Sequence, residues 1–180
     1  MKLLFILKLS VLGTSIFSDS SSIYDINFLS LDGSGVSMST FAGKKLLVLI
    51  LPSDSSQQST NYLTAIDSFS RAFSSSFVFI GVPSYEDGYN DDLSQSLQLY
   101  YRSILGQQVI ISQGMYTKIA SKPNQSSLFS WLSDPDQNMY FNQDARGIGQ
   151  KYFINEQGQL YGVFGAEMTL NGTLIQHMFE

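Results

Sequence analysis

Lys45–Leu51 reads KLLVLIL, a continuous run of aliphatic side chains of strand length. A run of this kind, without alternation of apolar and polar residues, is typical of a strand that is buried on both faces of a sheet. It therefore predicts the central strand of an α/β domain. The chain is long enough for one such domain, because 180 residues of which 43% are hydrophobic can bury a substantial core.

The segments around this strand alternate between strand and helix patterns. The predicted elements are a hairpin around Asp32-Gly33, the strand Lys45–Leu51, a helix from Asn61 to Phe73, a strand over Phe77–Val82, a helix carrying Leu93 to Ile104, a strand at Val109–Ile111, a short helix at Ser127–Trp131, a strand pair around Gln157-Gly158, and a last helix over Thr169–Phe179. This order predicts a three-layer α/β sandwich with a central mixed sheet, an N-terminal hairpin and flanking helices. The thioredoxin fold has this order, and its active groups gather after the first central strand, here Pro52 to Thr60.

The composition excludes several kinds of chemistry. The chain contains no cysteine, so it has no disulfide, no thiolate nucleophile and no thiolate metal ligand. A net charge of −5 with 10 scattered basic residues argues against nucleic-acid binding. The single histidine, His177, lies far from the Pro52–Thr60 segment in sequence, and we interpret it as a helix-end residue and not as the base of a Ser-His pair.

The N-terminus has the pattern of a secretory signal. Lys2 is followed by an apolar run from Leu3 to Phe17 and then by small polar residues. We expect a signal peptide at residues 1–20, a single domain at 21–180, and an exported protein that is periplasmic or secreted. Lys8 interrupts the apolar run, so a stable membrane span is not expected. The alternative is an N-terminal strand or helix of the domain.

Five segments between Ile23 and Phe179 together resemble the glutathione peroxidase family. The opening IYDINFLSLDGSGVSMSTFAGKKLLVLI is similar to the family's Ile-Tyr-Asp-Phe hairpin and the Phe-x-Gly-Lys step into an aliphatic strand. FVFIGVP, NDDL, SSLFSWL and KYFINEQGQLYGVF follow in the family's order and at nearly its spacing. The resemblance implies a thioredoxin-like fold and, for the family, peroxide reduction at a cysteine or selenocysteine.

The residues that carry this reaction are absent from the chain. Ser55 stands where the resemblance places the peroxidatic residue, and Gly147 and Ile148 stand where the family has Trp and Asn. The loop that holds the family's Gln is shortened and contains no glutamine. A serine hydroxyl is far less acidic than a thiol and has no sulfenic state, so the peroxidase cycle cannot begin at Ser55.

The remaining candidate residues point to binding. Ser53, Asp54 and Ser55 on the loop after the first central strand, with Tyr85 and Tyr89 nearby in the fold, are the predicted binding residues, because aromatic side chains beside a polar loop suit a contact surface. The carboxylates between Glu86 and Asp92 fit a solvated helix start better than a calcium site, so no metal and no cofactor are expected.

These observations favour an exported, glutathione peroxidase-like domain that has lost thiol peroxidase chemistry. We expect a non-catalytic binding or scaffold protein whose partner is an unidentified protein or small molecule. The alternative is an enzyme of oxidative stress that acts on peroxide-related substrates through groups other than a thiol.

Overall fold

The computed structural model describes residues 22–179 of the chain, and the predicted signal segment 1–20 lies outside the described residues. The strands are β1 (Asn27–Leu29), β2 (Gly35–Ser37), β3 (Lys45–Leu51), β4 (Phe77–Pro83), β5 (Val109–Ile111), β6 (Lys151–Ile154) and β7 (Leu160–Phe164). The α-helices are α1 (Gln57–Phe73), α2 (Ser94–Ile104), α3 (Ser127–Ser133), α4 (Pro135–Asn138) and α5 (Thr173–His177). The predicted β-α-β-α order is thereby confirmed.

The main sheet has five strands in the order β5-β4-β3-β6-β7, and β1 and β2 form a separate hairpin. β3 pairs in parallel with β4 and antiparallel with β6, so the sheet is mixed. The side chains of β3 alternate between two cores. Leu46, Val48 and Ile50 pack on one face with α3, while Leu47, Leu49 and Leu51 pack on the other with α1, α2 and α5. All six are fully buried, which confirms the central strand and the three-layer sandwich.

Several predicted helix boundaries differ from the structure, and the short helix predicted at Ser127–Trp131 extends to Ser133. α1 begins at Gln57 and not at Asn61, because the Ser56 side chain accepts a hydrogen bond from the Ser59 backbone and caps a polar first turn. The last helix covers only Thr173–His177 of the predicted Thr169–Phe179. Within the described part of the chain, no helix has both the length and the apolar character needed to span a membrane.

The strand ends determine where distant loops meet. β3 ends at Leu51 and leads into the Pro52–Ser56 loop, and the backbone amide of Gly149 donates to the carbonyl of Ile50 at 3.0 Å. The segment that precedes β6 therefore lies beside the start of α1. The β6–β7 turn lies at the opposite end of the sheet, because Ile154 is paired with Leu46.

Candidate functional site

The loop between β3 and α1 is anchored at one end and exposed at the other. The hydroxyl of Tyr101, a buried residue of α2, donates to the carbonyl of Pro52 at 2.7 Å. Ser55 is exposed, and Ser56 is the N-cap of α1. Ser55 therefore lies on the loop, one residue before the helix cap.

Asp54 places a negative charge at the start of α1. Its Oδ1 accepts hydrogen bonds from the Ser56 backbone amide and from the Ser59 hydroxyl, each at 2.8 Å. Hydrogen bonds from Ser56 and then from Ser59 lower the pKa of Asp54 below its ordinary value. The carboxylate is thus ionised at neutral pH, and the anion that a helix N-terminus favours is supplied by the chain itself.

A cavity of about 340 Å³ lies between the start of α1 and the segment before β6. Asp54, Ser59 and Tyr62 line it on the helix side, and Ile148 and Gly149 line it on the other side. Ser55 faces a separate depression of about 320 Å³ in front of α2. The structure thus brings Ile148 next to Asp54, whereas Ser55 opens to the opposite side of the loop.

Gly147 is buried beside a carboxylate, which explains why a large side chain is absent at this position. Its φ is +116°, a backbone conformation that L side chains rarely adopt, and a Cβ at Gly147 would lie 2.6 Å from Oδ1 of Asp87. An indole cannot occupy this place. The position at which the resemblance places a Trp therefore has neither the backbone conformation nor the space for a large side chain.

Tyr62 lines this cavity, but its hydroxyl lies inside the protein. The oxygen is buried and has no hydrogen-bond partner within residues 22–179, and burial raises the pKa of the phenol. Buried hydroxyls are usually paired, so this one is a desolvated polar group that gains no hydrogen bond. The sequence identified Tyr62 only as an apolar position of the helix, because helical spacing does not reveal which polar tips remain unpaired.

Lys151 lies next to the same cavity but inside the protein. The residue is 1% exposed, and its ammonium donates to the carbonyls of Gly149 at 2.6 Å and Gly165 at 3.0 Å. Burial lowers the pKa of Lys151 to about 8, and the nearby Glu167 opposes this shift. Lys151 therefore holds together the two loops that border the cavity. In the sequence this lysine stands out only as part of the strand pattern.

The predicted aromatic surface is only partly present. Tyr85 is half-buried, stacks on Tyr116 with ring centroids 4.5 Å apart, and donates its hydroxyl to Asp91 at 2.8 Å. Tyr89, which we expected on the surface, is only 4% exposed. It packs in the core because Gly114 leaves room for its ring. The aromatic surface at this place thus consists of the half-buried Tyr85 and the exposed Tyr116.

Glu86, an acidic residue next to this pair, has several structural partners. The Glu86 carboxylate accepts hydrogen bonds from the backbone amides of Thr117 and Lys118 at 2.9 and 3.2 Å. Burial favours a higher pKa for Glu86, but these bonds and one from Ser121 outweigh it and hold the pKa at about 2. Among residues 22–179, no three Asp, Glu or His side chains come together as a metal site.

His177 is the last residue of α5 and lines neither depression beside the Pro52–Ser56 loop. The structure therefore does not place an imidazole at Ser55.

The comparisons with known proteins support the fold. No family model matches the chain, and no curated protein matches it. Solved structures do match. Trgpx in its apo form is 15% identical with a TM-score of 0.62, covering 89% of this chain and 96% of the other. GPX1 of T. cruzi is 12% identical with a TM-score of 0.62, covering 88% and 97%. The exposed lipoprotein thioredoxin Etrx1 of Streptococcus pneumoniae is 14% identical with a TM-score of 0.53, covering 85% and 96%.

The chain's structural neighbours are glutathione peroxidase and thioredoxin-like proteins, and the predicted thioredoxin-like fold is confirmed. At these identities the likeness concerns the fold alone. The chain shares the architecture around the Pro52–Ser56 loop but contains no cysteine on which a thiol reaction could run.

Proposed function

We propose that this chain is a non-catalytic binding domain on a glutathione peroxidase-like architecture. One observation carries the proposal: the start of α1 holds the Ser55 hydroxyl and the Asp54 carboxylate in a chain without cysteine. The hydroxyl cannot be oxidised to a sulfenic state, and the neighbouring negative charge disfavours a second anion. The loop therefore lacks both the reacting atom of a thiol peroxidase and the electrostatic environment that would activate one.

The cavity between α1 and Ile148 supports a binding role. Its volume of about 340 Å³ is within the range of small-molecule sites, roughly 300–1,000 Å³. The ionised Asp54 carboxylate in its lining makes it unfavourable for anions. We propose a small, uncharged or cationic ligand for this cavity. Ser53 and Ser55 on the same loop, with Tyr85, are proposed to contact a ligand or partner on the α2 side.

Export belongs to the same proposal. The basic start, the apolar run to Phe17 and the small polar residues after it support a signal peptide over residues 1–20. Sequencing the N-terminus of the protein from its native host tests this. A mature chain that begins after Ser15 is expected, and an intact Met1 in a soluble cytosolic fraction contradicts export.

A peroxide-consumption assay tests the loss of catalysis. The purified protein is given hydrogen peroxide with glutathione or with reduced thioredoxin, and Ser55→Ala serves as the matched control. We expect both proteins to match the buffer rate. Turnover by the wild type that Ser55→Ala abolishes would overturn the proposal. Turnover that both proteins share would point to an enzyme with non-thiol groups, and would overturn it equally.

A further inference from the structure

A second cavity lies at the opposite end of the sheet from the Pro52–Ser56 loop. Its volume is about 560 Å³, and it is bordered by the Gln137–Tyr140 segment on one side and by the β6–β7 turn on the other. No residue that lines it belongs to the α1 cavity. It is thus a separate site with its own chemistry.

One wall of this cavity is fixed by a buried amide. Asn138 is 5% exposed, and its Nδ2 donates to the carbonyls of Trp131 at 2.8 Å and Phe141 at 3.1 Å. Its Oδ1 accepts from the backbone amides of Tyr140 at 2.8 Å and Phe141 at 2.7 Å. The buried Asn138 side chain therefore uses its donors and its acceptor to fix the backbone of the three residues that follow it.

This wall presents two large side chains to solvent in a strained turn. Met139 has φ +62°, the only positive φ outside glycine among the described residues. Met139 is 79% exposed and Tyr140 is 71% exposed. A positive φ outside glycine and the exposure of two large side chains are both unfavourable. Backbone strain of this kind is found most often at binding sites, where the surrounding structure holds it in place. The turn therefore places the exposed Tyr140 ring at the rim of the cavity.

The opposite wall is a rigid turn that carries free amides. Oδ1 of Asn155 accepts from the backbone amides of Gln157 at 3.1 Å and Gln159 at 2.9 Å, and the Tyr24 hydroxyl donates to the Glu156 carbonyl at 3.2 Å. The side-chain amide of Gln157 and the amide nitrogen of Gln159 are exposed and form no hydrogen bond within residues 22–179. They offer both donors and acceptors to a ligand.

The lining of the cavity within residues 22–179 carries no formal charge. Among these residues, no lining side chain is a carboxylate, an amine, a guanidinium or an imidazole. The polar groups are amides and hydroxyls, and the apolar ones are Trp131, Met139 and aromatic rings. A matching ligand is uncharged, has many hydroxyls for the amides, and has an apolar face that packs on an exposed ring.

We propose that this cavity binds a neutral saccharide, which packs on Tyr140 and hydrogen-bonds to Gln157 and Gln159. The paired donors and acceptors of carboxamides fit neighbouring hydroxyls, and a flat aromatic ring fits the C–H face of a pyranose. The site extends the proposed binding role to a second position. It does not depend on the state of the Ser55 loop, so peroxidase activity has no bearing on it.

Intrinsic fluorescence provides a local readout, because Trp131 is the only tryptophan in the chain and lines this cavity. The protein is titrated with a panel of neutral oligosaccharides: cellohexaose, laminarihexaose, maltohexaose, mannohexaose and chitohexaose. Oligogalacturonate and heparin fragments are the charged counterparts. We expect saturable fluorescence changes with at least one neutral sugar and none with the charged ones.

Two variants locate the binding. Tyr140→Ala and Gln157→Ala should each weaken binding roughly tenfold, and both residues are exposed, so neither change should affect folding. Leu99→Ala is the matched control, because this large side chain is 70% exposed, close to the 71% of Tyr140, but lies outside the cavity; it should bind like the wild type. Absence of binding across the neutral panel overturns the proposal. Binding that is unchanged in Tyr140→Ala and Gln157→Ala overturns it as well. Saturation only by an uncharged Gly-Ser-Asn peptide would also overturn it, because the cavity would then be a polypeptide site.

Discussion

Oδ1 of Asp54 accepts a hydrogen bond from the Ser59 hydroxyl at 2.8 Å, across the first turn of α1. Ser59 is buried, and its backbone amide is bonded in turn to Ser56, so the three residues form a closed polar group at the helix start. In a thioredoxin-like fold this is the place where a thiolate would benefit from the helix dipole. In this chain the helix dipole instead stabilises the Asp54 carboxylate, which already accepts hydrogen bonds from Ser56 and Ser59.

Removing this carboxylate should destabilise the protein. Asp54→Ala leaves the Ser56 amide and the Ser59 hydroxyl without their acceptor, and we expect the free energy of unfolding to fall by about 1 kcal/mol at pH 7. Because the folded-state pKa of Asp54 is lowered, its contribution is present above about pH 4 and is lost as the pH falls below it.

Urea unfolding across this pH range measures the effect. Glu156→Ala is the control for loss of one exposed negative charge, since Glu156 bonds through its backbone carbonyl and not through its carboxylate. Equal stability of Asp54→Ala and Glu156→Ala at pH 7 would show that the hydrogen bonds of Asp54 contribute nothing.

A cysteine at position 55 should be a poor nucleophile. In Ser55→Cys the new thiol lies beside the ionised Asp54, which raises the pKa of the thiol against the effect of the helix. Adding Asp54→Asn should then increase the rate of alkylation by iodoacetamide at pH 7 roughly three- to tenfold. Identical rates in the single and double variants would mean that Asp54 does not act on position 55.

Gly147 should tolerate no side chain. Gly147→Ala combines an unfavourable φ of +116° with a contact of 2.6 Å to Asp87, and we expect a loss of about 2–3 kcal/mol in unfolding free energy. Gly43→Ala is the matched control, because Gly43 also has a positive φ, +80°, but a Cβ there meets nothing within 4 Å. It should cost about 1 kcal/mol. The double variant Gly147→Ala/Asp87→Ala should recover part of the loss, and no recovery would rule out the clash as its cause.

The central strand could be predicted from sequence because burial on both faces leaves a continuous aliphatic run. Lys45–Leu51 has the same limits in the sequence and in the structure. The start of α1 could not be predicted in this way. Gln57 and Gln58 are polar and exposed, so the helical spacing of apolar residues does not extend to the first turn. Ser56 as a cap was the available signal.

The candidate sites were less predictable, because they depend on which loops meet in space. Ser55 and Ile148 both follow from the family resemblance, but only the fold shows that Asp54, and not Ser55, faces Ile148. Tyr89 was assigned to the surface from its place in a polar loop. The space beside Gly114 that buries it comes from a segment about twenty-five residues away and leaves no local pattern.

The buried Lys151 should make the free energy of unfolding increase as the pH rises above about 8. Its folded-state pKa is about 8 against an ordinary value of 10.5, so between these values the unfolded chain binds more protons than the folded one. Stability contributed by Lys151 therefore rises with pH in this window. Relative to Lys151→Met, the unfolding free energy of the wild type should increase by roughly 1–2 kcal/mol from pH 8 to pH 9.5.

Measuring the difference between the two proteins removes the opposing effect of tyrosines, which begin to ionise in the unfolded chain near pH 10. Lys44→Met is the control for loss of one positive charge from an exposed lysine. Parallel curves for the wild type and Lys151→Met would contradict the assignment.

Tyr62 and Tyr101 allow a comparison between an unpaired and a paired buried hydroxyl. The Tyr62 hydroxyl is buried without a partner within residues 22–179, whereas the Tyr101 hydroxyl donates to Pro52 at 2.7 Å. Tyr101→Phe should therefore lower the unfolding free energy by about 1–2 kcal/mol, because it leaves the Pro52 carbonyl unbonded. Tyr62→Phe should be neutral or slightly stabilising in the free protein, since it removes a desolvated hydroxyl that gains nothing in return. Thermal unfolding of the two variants measures both effects. An equal loss in both would show that the Tyr62 hydroxyl forms a hydrogen bond in the folded protein.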